Sequence, residues 1–207
     1  MNDFYFVDKL SDTIRSGHLH WAIKRHRLES VAEHIYECQR LAIKLYGDSE
    51  LDVNINKVIL MLSIHEEEEN YIGDVTAFEE RTKDGGHQAA VKSFNSLKRG
   101  RLFSDLLNEF EDNKTSEAVF TKYVDKLQSV LKIFEYDIES KIDIDSEDVK
   151  DFLSTNDTII KMREEGARSL GDIFYLWYKD LFRGEIGKVC LDYLEDKYKE
   201  YKKEMRY

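Results

Sequence analysis

The fold of this chain is decided by the run His65-Glu66-Glu67-Glu68-Glu69-Asn70-Tyr71-Ile72-Gly73-Asp74, where an apolar segment is followed by acidic residues. The preceding segment predicts a helix at about 53–69 that is nearly all apolar through Val58-Ile59-Leu60-Met61-Leu62, so it should be central and buried. A carboxylate delivered from inside a fold needs a cation or hydrogen bonds to offset its lost hydration. The run therefore marks either a solvated acidic helix end or a buried polar site.

Residue types and spacing within this run are compatible with a metal site. Glu66 is adjacent to His65, and Glu69 lies one helical turn beyond His65 on the same face. Gly73 can adopt backbone angles closed to other residues, so the chain can turn there and present Asp74. An imidazole and several carboxylates at one helix end are side chains that hold a divalent cation. The choice between the two interpretations depends on ligands from elsewhere in the chain.

Length and composition predict one domain in a reducing, cytoplasmic compartment. The 207 residues are 42% hydrophobic and 35% charged, and no stretch approaches the roughly 20 apolar residues of a membrane span. The start, Met1-Asn2-Asp3-Phe4, does not resemble a signal peptide. Cys38 and Cys190 form no metal or redox motif, which indicates small buried hydrophobes. The net charge of −11 argues against polymeric nucleic acid as a partner, though not against a small phosphorylated ligand.

Helical periodicity dominates the chain and predicts an all-α fold, with no strand-like alternation of useful length. The predicted helices lie at about 2–16, 29–46, 53–69, 87–98, 101–112, 115–138, 147–163, 167–182 and 185–205. The polar segment 75–86 is predicted to be a surface loop and is a candidate lid.

Three further places carry candidate functional residues, each with a structural alternative. The segment Gly17–Arg27 is cationic and aromatic, so it is either a ligand lip or a core tryptophan, Trp21, with solvated cations. His34 lies beside the apolar stripe of helix 29–46, where a histidine is more often a satisfied interior residue than a ligand. Asp125 falls amid apolar residues, where it needs a partner, either a cation or a nearby lysine.

Taken in order, these pieces resemble the HD-domain phosphohydrolases, most closely the bacterial 5′-deoxynucleotidase type. The resemblance rests on Glu29-Ser30-Val31-Ala32-Glu33-His34, then His65-Glu66-x-x-Glu69-x-x-x-Gly73-Asp74, then Val124-Asp125-Lys126-Leu127. It covers about 10–138 and implies an all-α helical bundle with one divalent metal at its centre. The whole chain, 1–207, is then a single HD domain, with C-terminal helices at about 147–205 completing or extending it.

The resemblance also implies roles for particular residues. By position, the implied metal ligands are His34, His65, Glu66 and Asp125. Glu69 would orient the substrate phosphate, and Asp74 would contact the attacking water and shuttle protons. Trp21, preceded by His20, matches a position that packs against the sugar, and Arg27 would reach the phosphate.

The implied activity is release of phosphate from (deoxy)nucleoside 5′-monophosphates by attack of a metal-bound water, in a cytoplasmic homodimer without membrane partners. The ion could be Mn²⁺, Co²⁺, Fe²⁺, Mg²⁺ or Zn²⁺. Glu66 replaces the Asp of the family's His-Asp pair, which lengthens the arm by one methylene, about 1.5 Å. Two alternatives stay open: another HD-type phosphodiesterase or nucleotide polyphosphate hydrolase, and a catalytically silent, nucleotide-binding regulatory domain.

Overall fold

The computed structural model describes residues 8–74, 85–147, 149 and 157–205, and the regular structure in these ranges is helical apart from one isolated bridge between Ile14 and Ser30. Ten α-helices are described: Asp8–Asp12 (α1), Val31–Gly47 (α2), Ile55–Leu62 (α3), Glu69–Ile72 (α4), Gly86–Asn95 (α5), Arg101–Asp112 (α6), Ser116–Ser140 (α7), Asp157–Glu164 (α8), Leu170–Tyr178 (α9) and Gly184–Met205 (α10). Two short 3-10 helices span Ser16–His20 and Lys179–Leu181. The all-α prediction is confirmed. Among the described helices, none combines the length and the apolar character that crossing a membrane requires.

The chain divides into two compact units. The first takes in the described parts of Met1–Ser16 and Glu29–Asp125, and the second those of Gly17–Leu28 and Lys126–Tyr207. Within the first unit, α2 packs with α3, and α5 packs with α6. A buried cluster from α3, α5, α6, α7 and the turn after α3 forms part of its core, with members Met61, Ile64, Ala90, Phe94, Leu106, Leu107, Phe110 and Ala118.

The second helix, α2, confirms the predicted helix at 29–46 and places one histidine in the interior. Ser30 caps its N-terminus: the Ser30 hydroxyl accepts from the Glu33 amide, and the Glu33 carboxylate accepts from the Ser30 amide, so two otherwise unpaired donors are satisfied. Residues at helical spacing then form a buried stripe of Val31, His34, Cys38, Leu41, Ala42 and Leu45.

The prediction of one continuous helix over 53–69 is wrong. Helix α3 ends at Leu62, the acidic run forms tight turns, and α4 begins only at Glu69. Backbone bonds across three residues replace the α-helical pattern, as in the 3.0 Å bond from the Glu67 amide to the Ile64 carbonyl. Because of this break, Glu69 does not lie one α-helical turn beyond His65 on a shared face.

The first predicted helix, at about 2–16, also ends earlier than expected. Helix α1 stops at Asp12, because the following residues make long-range backbone bonds instead: the Arg15 amide donates to the Glu29 carbonyl at 3.1 Å, and the Val31 amide donates to the Thr13 carbonyl at 2.8 Å. Residues 2–7 of that predicted helix, and 75–84 of the candidate lid, lie outside the described residues.

The second unit is held together by α7, α9 and α10, the last of which confirms the predicted helix at 185–205. Phe134 of α7 stacks on Tyr201 of α10, with ring centroids 4.6 Å apart. The buried Asp137 carboxylate accepts from the Tyr201 hydroxyl at 2.6 Å and from the Gly171 amide at 3.0 Å. These contacts fix the C-terminal helix by both apolar packing and buried hydrogen bonds. In the predicted helix at 147–163, Asp148 and residues 150–156 are outside the described ranges.

Candidate metal centre

Four of the predicted site residues meet inside the first unit. His34 comes from α2, His65 and Glu66 from the turn after α3, and Asp125 from α7. One ligand atom from each of these four buried side chains lies within 4.8 Å of the other three. Three separate segments therefore bring two imidazoles and two carboxylates to one point.

The separations between these donors suit a single divalent cation. His34 Nε2 lies 3.2 Å from Asp125 Oδ1 and 3.5 Å from Glu66 Oε1. His65 Nε2 also lies 3.5 Å from Glu66 Oε1. Two donors with bonds of about 2.0–2.2 Å to one ion, at angles between octahedral and tetrahedral, are about 2.8–3.6 Å apart. The donor set therefore fits such an ion.

His65 is oriented as a metal ligand requires. Its Nδ1–H donates to the Leu62 carbonyl at 2.8 Å, which leaves the lone pair on Nε2. That Nε2 atom is buried and has no hydrogen bond within the described part of the chain. Burial lowers the pKa of His65 despite the neighbouring Glu66 and Asp125 charges, so the ring is kept neutral. A neutral imidazole with a buried, inward lone pair is the state that binds a metal ion.

Glu66 reaches this donor set with its longer arm. Burial acts to raise the pKa of Glu66, but a hydrogen bond from His34 and the Arg15 charge outweigh it and hold the pKa well below its usual range. Its carboxylate is therefore ionised, and Oε1 lies at 3.5 Å from a ring nitrogen of each histidine. The extra methylene does not remove this side chain from the centre.

Arg15 is a site residue that the sequence reasoning missed. Its Nη1 lies 2.9 Å from Glu66 Oε1 and 3.9 Å from Asp74 Oδ1. The side chain is held there because Ile14 and Arg15 pair with Ser30 and Glu29 through the backbone. No local sequence pattern predicts that Arg15 belongs to a site. Asp12, three residues earlier, would be an ordinary ion-pair partner for it on the surface of a helix.

Glu69 and Asp74 lie beside this centre in opposite electrostatic states. The pKa of Glu69 is raised far above its usual range by burial and by the Glu66 charge. For Asp74, burial acts to raise the pKa, but Arg15 and hydrogen bonds from Glu69 and Ser16 lower it. Asp74 Oδ2 accepts from the Ser16 hydroxyl at 2.7 Å and also from the Ser16 amide. One carboxyl thus favours its protonated form and the other its ionised form.

The residues predicted to bind the substrate are Trp21, Arg27 and His20. Trp21 is 1% exposed and packs edge-to-face on Phe174, with centroids 5.9 Å apart, which are the surroundings of a core side chain. Arg27 is exposed, and the backbone of His20 belongs to the 3-10 helix at Ser16–His20. Their roles in substrate binding stay predictions, as do the metal-ligand roles of the four donors and the catalytic roles of Glu69 and Asp74.

The chain is similar in sequence to a known family and to individual proteins. A family model described as HD domain matches residues 7–165 of this chain. The 5′-deoxynucleotidase HDDC2 of Dictyostelium discoideum is 29% identical over 159 residues, which cover 69% of this chain and 83% of that protein.

Solved structures show the same fold. The PH0347 protein of Pyrococcus horikoshii OT3 has a TM-score of 0.63 at 20% identity, with 94% of this chain and 95% of that chain covered. A protein described as a predicted metal-dependent phosphohydrolase, from Magnetospirillum magnetotacticum MS-1, has a TM-score of 0.57 at 23% identity, covering 96% of this chain and 93% of that one.

Proposed function

The chain belongs to the HD-domain family, and we propose that it is a metal-dependent phosphohydrolase that releases phosphate from nucleoside 5′-monophosphates. The observation that carries the proposal is the buried group of His34, His65, Glu66 and Asp125, with ligand atoms within 4.8 Å of one another. The name of the Dictyostelium relative, 5′-deoxynucleotidase, supports the nucleotide substrate.

A divalent cation held by these four side chains would neutralise charge on the phosphoryl oxygens and lower the pKa of a bound water. The remaining work falls to neighbouring side chains. Arg15, which lies beside Glu66 and Asp74, pairs with the phosphate of the substrate. Asp74, ionised and fixed by Ser16, accepts the proton of the attacking water and passes it to the 5′-oxygen of the nucleoside as the bond between phosphorus and that oxygen breaks. Protonated Glu69 donates a hydrogen bond to a phosphate oxygen.

Several finer properties form part of this proposal. A 2′-deoxy preference is supported by the relative's name alone. Oxygen-rich coordination with two imidazoles suits Mn²⁺, Co²⁺, Fe²⁺, Mg²⁺ or Zn²⁺. A homodimer is supported by apolar side chains on the outer face of α2, where Tyr36 is 62% and Ile43 48% exposed. A cytoplasmic location is supported by two buried cysteines that form no disulfide, Cys38 and Cys190.

A second candidate function is a catalytically silent, nucleotide-binding regulator. The observation in its favour is the 2.9 Å contact between Arg15 and Glu66, because a guanidinium there offsets the carboxylate charge without any metal ion. Such a domain would bind nucleotides and release no phosphate.

The test is phosphate release by the purified protein, with each of the five cations, from ribo- and deoxynucleoside monophosphates, triphosphates and a phosphodiester. We expect turnover of the monophosphates, and greater turnover of the deoxynucleoside monophosphates than of the ribonucleoside monophosphates. Turnover confined to triphosphates or diesters would assign a different HD activity. Nucleotide binding without any phosphate release would favour the regulator.

A further inference from the structure

Cys38 belongs to a second donor set that shares both histidines with the proposed centre. It lies one turn after His34 on α2 and is fully buried. Ligand atoms of His34, Cys38 and His65 lie within 4.8 Å of one another. The set described above contains two carboxylate oxygens, whereas this one replaces them with sulfur, a much softer donor.

A second observation, independent of the cysteine, points to a ligand at this place. His65 is 3% exposed, and its Nε2 has no hydrogen bond to any described residue, although the opposite nitrogen is fixed on the Leu62 carbonyl. A buried imidazole lone pair that is held in position without a hydrogen bond is available to bind a metal ion.

The distances indicate that Cys38 takes part in a separate way of binding a metal ion. They do not make it a fifth ligand of the ion held by His34, His65, Glu66 and Asp125. Cys38 Sγ lies 3.6 Å from His34 Nε2, which matches the separation of about 3.6 Å for sulfur and nitrogen on one tetrahedral Zn²⁺. The sulfur is also 3.8 Å from Nδ1 of the same ring, so it lies off the Nε2 lone-pair axis. The ring has to tilt toward Cys38 for the two atoms to share an ion, which moves Nε2 with respect to Glu66 and Asp125.

We propose that the centre has a second binding mode, in which a thiophilic cation such as Cd²⁺ or Zn²⁺ is held by His34, Cys38 and His65. The thiol gives its proton to solvent when the metal–sulfur bond forms. Hard cations such as Mn²⁺ use the carboxylates instead, so the two modes compete for the same histidines. This inference rests on the proposed metal centre but is independent of its nucleotidase activity.

Cadmium and manganese binding to the full-length protein tests this mode, with Cys190→Ser as a matched control because Cys190 is also fully buried and belongs to no donor set among the described residues. Wild type and Cys190→Ser should show thiolate-to-cadmium charge-transfer absorption in the ultraviolet. Cys38→Ser should lose that absorption and bind Cd²⁺ about tenfold or more weakly, with Mn²⁺ binding little changed.

A measurement without any substitution guards against a variant that fails to fold. The ¹¹³Cd resonance of the loaded wild-type protein reports whether sulfur is in the coordination shell. A shift typical of nitrogen and oxygen ligands alone, or absorption that survives in Cys38→Ser, overturns the thiol mode and leaves the oxygen-rich centre standing. Absence of stoichiometric binding for both Cd²⁺ and Mn²⁺ overturns the centre itself.

Discussion

The guanidinium of Arg15 lies 2.9 Å from Glu66 Oε1, the same oxygen that lies 3.5 Å from a ring nitrogen of His34 and of His65. One carboxylate oxygen thus faces a permanent cation on one side and the candidate metal ligands on the other. A metal ion bound by Glu66 would compete with Arg15 for this oxygen, and the guanidinium would then be available to pair with a phosphate.

Replacing Arg15 should therefore weaken the enzyme toward its phosphorylated substrate without removing the metal. Loss of a charged hydrogen bond corresponds to about 1.5–3 kcal/mol, so kcat/KM of Arg15→Ala should fall by roughly tenfold to a hundredfold. Arg25→Ala is the matched control, because Arg25 pairs with Glu135 and Glu139 in the second unit. Unchanged kcat/KM in Arg15→Ala would remove this residue from the substrate site.

Glu66 should tolerate a shorter arm better than a neutral one. Glu66→Asp keeps the charge and restores the family's residue, so metal content and turnover should be kept or raised. Glu66→Gln removes the negative charge that faces Arg15 at 2.9 Å and replaces an anionic metal donor with a neutral one, so both metal binding and turnover should fall. Metal analysis and phosphate release of the three proteins provide the comparison. Equal metal content and turnover in Glu66→Gln and wild type would show that Glu66 is no ligand.

Local patterns predicted the helices well where capping and periodicity agree. Ser30 and Glu33 mark the start of α2, and the apolar stripe behind them carries His34 into the interior. The order of His34, the His65–Asp74 run and Asp125 along the chain was enough to indicate the family, although only His34 and Asp125 lie within helices and His65 lies in the turn after α3.

Long-range backbone pairing is what the sequence could not reveal. Arg15 enters the site because Thr13 and Arg15 bond to Val31 and Glu29, and such pairing has no signature in helical periodicity. The break after Leu62 has a local cause that helical periodicity does not signal: α3 ends at Leu62, and the Leu62 carbonyl accepts a hydrogen bond from the His65 ring three residues later.

A methyl group at Gly171 should destabilise the second unit. A Cβ there would lie 2.5 Å from Tyr201 Cζ, beneath a ring that also bonds to Asp137. Gly171→Ala should lower the free energy of unfolding by about 1–3 kcal/mol, as for other overpacked cores. Gly47→Ala is the control, since a Cβ at Gly47 meets nothing within 4 Å, and it should be neutral or slightly stabilising. Equal unfolding midpoints in denaturant for the two variants would contradict this packing.

Asp172 should make stability depend on pH in the acid range. Burial acts to raise its pKa, but hydrogen bonds from the Arg168 amide at 2.9 Å, Lys202 Nζ at 2.9 Å and the Tyr198 hydroxyl at 2.7 Å outweigh it, and the pKa is lowered. A carboxyl whose pKa is lower when folded contributes stability above its unfolded pKa of about 3.9, and this is lost as pH falls further.

The free energy of unfolding of wild type and Asp172→Asn, measured from neutral pH down through pH 4, checks this sign. At pH 7 the variant should be less stable by about 1–3 kcal/mol, because charged hydrogen bonds are lost. The gap should narrow below about pH 4. A gap that stays constant or widens on acidification would mean that Asp172 is not ionised in the folded protein.

Metal content after reconstitution with Mn²⁺ shows whether the four buried donors form a metal site. Wild type should hold one ion per chain, whereas His34→Ala and Asp125→Ala, which remove donors from α2 and α7, should hold almost none. His87→Ala should keep the ion, since His87 pairs with Asn108 and belongs to no donor set in the described residues. Stoichiometric metal in both His34→Ala and Asp125→Ala, or a wild type that binds none, would mean that these side chains do not form a metal site.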